Sequence, residues 1–192
     1  MRDLRMGVIF MHERVRKLVV WMPFDDHNDL DELERDGEME VQEVPYFQEV
    51  ATRMPHLKHL DLWMNVPARL ITKPLTSLLS SLPALETVIL PKRYITSLIL
   101  TTLSSLLHLG TIESGYDPSQ GIGSESDIQS ISPTLQSGAF PSLFDLSLTA
   151  TPTDMQRFLE MPFAPLNLTN LCVDCGVRII QGTKETRAFW PA

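Results

Sequence analysis

The stretch LKHLDLWMN, residues 57–65, decides the fold. Its leucines stand at positions 1, 4 and 6 of a nine-residue frame (Leu57, Leu60, Leu62), and Asn65 closes it. A half-buried strand alternates strictly, and a helix does not set leucines two apart. A short strand with positions 4 and 6 facing a core fits, with position 1 packed where the strand begins. The chain then turns, and the position-9 amide is expected to satisfy backbone groups inside that turn.

The frame recurs. LETVILPKR supplies Leu85, Val88 and Leu90; LFDLSLTAT supplies Leu143, Leu146 and Leu148; LTNLCVDCG supplies Leu168, Leu171 and Val173. VRKLVVWMP supplies Val15, Leu18 and Val20. LGTIESGYD is a weaker copy, in which Ser114 replaces the third apolar residue after Leu109 and Ile112. First positions at 15, 57, 85, 109, 143 and 168 are spaced by 42, 28, 24, 34 and 25 residues. Three of these spacings match the 20–29 residues of leucine-rich repeats. The two longer ones contain an acidic stretch, 25–49, and a Gly/Ser-rich stretch, 115–137, which read as insertions. Position 9 is otherwise degenerate (Pro23, Arg93, Asp117, Thr151, Gly176), so variable turns are expected.

An apolar residue, a proline and one further residue precede leucine in MPHL (54–57), LPAL (82–85) and FPSL (140–143). Proline disfavours helix just before itself, so each marks where a helix stops and a strand begins. Helices are expected in KPLTSLLSS (73–81), ITSLILTTLSSLL (95–107) and TPTDMQRFLEM (151–161). In the last, Thr153 is the expected N-cap and Gln156 sits at the capping-box position. No unit buries its apolar face alone, so neighbours must stack. The expected architecture is an α/β leucine-rich-repeat solenoid of about five to six irregular repeats, residues 1–192 forming one domain. Parallel strands line the concave side and helices the convex side.

The segments MPHLKHLDL, SLPALETVIL and FPSLFDLSL, with serine-rich helices between them, resemble the leucine-rich-repeat region of fungal F-box-like proteins. The likeness is to the divergent type common in mushroom-forming basidiomycetes, and it covers most of residues 15–176. It implies a non-enzymatic protein-recognition module related to the substrate-selecting region of SCF (Skp–cullin) ubiquitin ligases. No F-box is visible before Val15, so the Skp adaptor is implied only through an F-box outside this chain. The alternatives are a stand-alone or truncated repeat protein without a ligase role, and a small enzyme using the CxxC or the polar loop.

Hydrophobic residues make up 43% of the 192, enough for one core. No apolar run approaches the length of a membrane-spanning helix. Two cysteines give no disulfide framework, which points to a reducing compartment, cytoplasmic or nuclear. The formal net charge of -8 is unevenly distributed. Residues 25–49 hold 11 of the 24 acids and one base, Arg35, while the rest of the chain holds 15 bases and 13 acids. The acidic run reads as a solvated loop, and no basic patch points to nucleic acid. Residues 25–43 and 115–132 are expected to be irregular.

CVDC, Cys172–Cys175, lacks the further ligands of a structural zinc site, and the strand frame turns Cys172 outward. GIGSES (121–126) lacks the third glycine of a dinucleotide loop. HLKH places His56 and His59 beside a strand rather than on one helix face. No catalytic, cofactor-binding or metal-ligating residue is assigned. Positions 3, 5 and 7 face away from the core, and from them Trp21, His59, Asp61, Trp63, Asp145 and Asn170 are the candidate partner-binding residues. Either the two tryptophans form an exposed aromatic patch, or residues 23–50 fold over them.

Overall fold

A computed structural model describes residues 12–22, 43–64, 68–115, 131–161 and 165–174. It is an α/β fold with one six-stranded, all-parallel sheet whose strands alternate with helices. The strands are β1 (Lys17–Met22), β2 (His59–Met64), β3 (Thr87–Pro91), β4 (Thr111–Gly115), β5 (Asp145–Thr149) and β6 (Asn170–Asp174), side by side in chain order. The helices are α1 (Glu43–Arg53), α2 (Ala68–Ser80), α3 (Ser97–Leu103) and α4 (Pro152–Glu160), with a 3-10 turn at Lys92–Tyr94.

Each strand occupies frame positions 3 to 7, with β1 and β2 running on to position 8, and neighbours pair position for position. Leu60 stands opposite Leu18 and Val88, Ile112 opposite Val88 and Leu146, and Leu171 opposite Leu146. A one-residue slip would turn every core side chain to solvent, so the leucine pattern itself fixes this register. Leu60, Leu62, Val88, Leu90, Ile112, Leu146 and Leu148 are buried in one cluster. All four described helices add to that cluster, through Phe47 and Val50, Ile71 and Leu75, Ile99 and Leu103, and Met155 and Phe158. The helices therefore lie on the even-position side of the sheet, with α2 packed against both α1 and α3.

The units share one backbone device at the start of each strand. The carbonyl of position 2 accepts hydrogen bonds from the N–H groups of positions 2 and 3 in the next unit. The acceptors are Arg16, Lys58, Glu86, Gly110 and Phe144, at 2.7–3.1 Å. Before five strands a tight turn joins the N–H of position 1 to the carbonyl three residues earlier: Val15 to His12, Leu57 to Met54, Leu85 to Leu82, Leu109 to Leu106 and Leu143 to Phe140. Pro55, Pro83 and Pro141 occupy the second place of three of these turns, where a fixed φ suits the bend.

Several details differ from the sequence reading. The cap of α4 is Thr151, whose Oγ1 accepts from Asp154 N at 3.0 Å. Pro152, favoured at the first helical position, moves the start two residues ahead of the expected Thr153. Gln156 instead donates to Glu160 along the helix. Helix α2 begins at Ala68 and runs through Pro74, because burial of Ile71, Leu75, Leu78 and Leu79 outweighs the lost N–H. Its hydroxyls bond back to carbonyls four residues earlier, as with Thr72 to Ala68 and Thr76 to Thr72.

The acidic stretch expected at 25–49 becomes helix α1 from Glu43 onward; residues 25–42 lie outside the described residues. Of the Gly/Ser-rich stretch at 115–137, Gly115 ends β4, and residues 131–137 are also described. These are irregular but held: Ile131 joins the core, and the N–H groups of Ser132 and Thr134 donate to Ser97 Oγ and Thr101 Oγ1 on α3.

Strand β6 is the largest departure. Leu171, expected in the core, is 43% exposed, and Val173 is only partly buried. Among the described residues β6 pairs with β5 alone, so its even positions lack a following unit to pack on. This generates a graded prediction. Leu60→Ala should cost roughly 2–5 kcal/mol in urea unfolding, as expected for a fully buried leucine. Leu171→Ala should cost less than about 1 kcal/mol. Equal losses would contradict this description of the core.

Candidate functional site

Positions 3, 5 and 7 form the opposite face of the sheet. The period of two that buries Leu60 and Leu62 presents His59, Asp61 and Trp63 there. No described helix lies on this side. Neighbouring strands stand about 4.8 Å apart, so register partners sit side by side.

The register joins four of the six candidate residues. Trp21 pairs with Trp63, and His59 and Asp61 follow on the same strand, opposite Lys17 and Val19. Trp21 is 75% exposed and Val19 is 51% exposed. Trp63, flanked by two strands, is half-buried. Asp145 and Asn170 form a second group on β5 and β6. They are register partners, and Asn170 Nδ2 donates to Asp145 Oδ2 at 3.5 Å.

Two polar atoms near the aromatic pair lack hydrogen-bond partners. His59 Nε2 and Asp61 Oδ1 are both shut off from solvent. An unmet buried acceptor or donor costs about 1–3 kcal/mol, which a bound group can relieve. Burial pushes the His59 imidazole below its ordinary pKa, and Lys17 adds to this; Asp61 and Glu113 pull the other way.

The position-9 asparagine, Asn65, lies outside the described residues. The carbonyl of Met64 beside it accepts from Arg93 Nη2 at 2.9 Å and Tyr94 Oη at 3.1 Å. Side chains of the following unit thus secure the end of β2, with the Arg93 guanidinium 5.3 Å from the Tyr94 ring centre. Ser114, the polar substitute in the weak frame, bonds to the Thr149 hydroxyl at 3.1 Å.

An exposed apolar group at the strand-start edge was missed by the alternation pattern. Leu107 and Leu166 are exposed there, and Phe144 at position 2 lies over Gly110. The available signal was its contrast with the polar residues Lys58, Glu86 and Thr169 at the same frame position. Cys172 is exposed on β6, while Cys175 and the glycine loop at 121–126 lie outside the described residues. A cleft of about 180 Å³ between α1 and α2 is lined by Phe47, Ala51, Thr52, Pro74 and Ser77 among others. Among the described residues no helix is long and apolar enough to cross a membrane.

No family model, curated protein or solved structure matches the chain.

The His59 environment predicts a pH effect on stability. A histidine with a lowered pKa binds its proton less readily folded than unfolded. The stability it confers is complete above the ordinary value near 6.5 and is lost as pH falls through the lowered one. The drop in melting temperature from neutral pH to about pH 5 should therefore be smaller in His59→Asn than in the parent protein. Equal drops would remove His59 from the acid response.

Proposed function

We infer that this chain is a non-enzymatic protein-recognition module, built as a leucine-rich-repeat solenoid with the odd-position face as its concave binding surface. One observation carries the reading. Trp21 stands three-quarters exposed beside Trp63, on a sheet face that no described helix covers. Within the strands stability is served by positions 4 and 6, which leaves positions 3, 5 and 7 free to vary with a partner. Large aromatics offer apolar area and one N–H donor at small entropic cost, which suits them as anchors. His59 and Asp61 add polar selectivity, and Asp145 and Asn170 extend the surface.

The sequence resemblance supports a relation between such a module and the substrate-selecting regions of F-box-like proteins. Attachment to a cullin ubiquitin ligase through the Skp adaptor belongs to this proposal only through an F-box outside the residues of this chain.

A comparative capture experiment tests the reading. Proteins retained from a lysate by the parent chain are compared with those retained by Trp21→Ala and by Lys73→Ala, a control on α2. A specific partner should be retained by the parent and Lys73→Ala and depleted with Trp21→Ala. In calorimetry with that purified partner, Trp21→Ala should weaken binding by about 2 kcal/mol. Its unfolding free energy should stay close to the parent's, unlike that of Leu62→Ala. An identical partner set and affinity for parent and Trp21→Ala would overturn this assignment of the surface.

A further inference from the structure

We propose that the odd-position face receives a basic, extended segment of a partner, whose arginines or lysines cross the strands above Asp61, Glu113 and Asp145. This rests on the recognition reading and names the chemistry of its occupant.

The charges on the face are one-sided. Positions 3, 5 and 7 carry Asp61, Glu113, Asp145 and Asp174 against a single lysine, Lys17, on the outermost strand β1. His59 is held toward its neutral form by burial. Outside residues 25–49 the chain has slightly more bases than acids. The acids on this face are therefore a local concentration, with Arg53, Lys58, Lys73 and Lys92 placed on helices, at a strand start and in a turn. Residues 25–49 lie close in sequence to Trp21, but their net charge of -10 suits them poorly to cover such a face. That same charge would steer a basic partner toward it.

The spacing fits an extended chain. Asp61 and Glu113 both occupy position 5, on β2 and β4, with Ile89 of β3 between them. Two strand spacings come to about 9.6 Å. One turn of a polyproline II segment is three residues and about 9.3 Å. Basic residues three apart, on a segment running across the strands, therefore meet both carboxylates, and an apolar residue between them lies near Ile89. Asp145 follows one strand further on, at position 3.

Recognition elements are present at both scales. Asp61 Oδ1 has no hydrogen-bond partner, and rotation of its carboxylate would offer it to a guanidinium or ammonium. At the β1–β2 side, Trp21 and Trp63 can take an apolar side chain or stack a cation.

The test uses the full chain and a dye-labelled peptide of four Arg-Pro-Leu triplets, with counterparts carrying Gln or Glu in place of Arg. Binding is followed by fluorescence anisotropy at low and physiological salt. The Arg peptide should bind at least about tenfold more tightly than the Gln peptide and lose affinity with salt, and the Glu peptide should not bind. Asp61→Asn with Glu113→Gln should weaken the Arg peptide about tenfold and flatten its salt dependence. The exposed Glu113→Gln alone should weaken it about threefold, which keeps the test valid if the double variant fails to fold. Replacing Asp25, Asp26, Asp29, Asp31, Glu32 and Glu34 by their amides should leave most of the Arg selectivity in place. Failure of the Arg peptide to bind, equal affinities for all three peptides, or a loss that follows the 25–34 acids instead, overturns the basic occupant. If selectivity fails while Trp21→Ala still weakens whichever peptide binds, the recognition face stands with another occupant. If a peptide binds and no face variant alters it, both readings fall.

Discussion

Everything in this fold depends on one shared acceptor. The carbonyl at the second position of each unit takes two N–H groups from the next, five times in succession from Arg16 to Phe144. A unit placed one residue out of step would forfeit this pair of bonds and turn its leucines to solvent at the same moment. Backbone pairing and apolar burial therefore enforce the same register. Within the strands parity follows: positions 4 and 6 belong to the core, and positions 3, 5 and 7, apart from the buried Pro91, to the open face. A surface made this way can change its odd residues with little cost to the fold, which is why the functional reading rests on them.

The same logic explains where the structure is weak. A unit is buried by its neighbours, so the last described strand has core residues with a partner on one side only. Leu171 has the same frame position as Leu60 and Leu146, yet it is substantially exposed. Local sequence was equal, and stacking made the difference. Residues 131–134 offer the opposite lesson. They form no helix, yet they anchor to α3 through two hydroxyls and one buried isoleucine.

Much of this was legible in the sequence because two short-range signals agree. Leucines at positions 1, 4 and 6 mark the strand and its inward side, and the prolines of MPHL, LPAL and FPSL mark the turn before it. Those signals gave the parallel strands, their order in the pattern and the membership of the open face. They did not reveal the support for the Met64 carbonyl, because Arg93 and Tyr94 reach it from about thirty residues further along the chain. Nor did they separate Trp21 from Trp63, since frame position is identical and exposure depends on having one neighbouring strand or two. The cap of α4 was misplaced because two threonines compete and Pro152 decides between them.

Native-state hydrogen exchange measures the stacking most directly. The amide pairs Lys58 and His59, Glu86 and Thr87, Gly110 and Thr111, and Phe144 and Asp145 should be strongly protected and exchange together, through a common unfolding event. The pair Thr169 and Asn170, on the edge strand, should exchange sooner. Exchange of any central pair as fast as surface turns, while the core leucine amides stay protected, would contradict the shared-carbonyl register on which the open face depends.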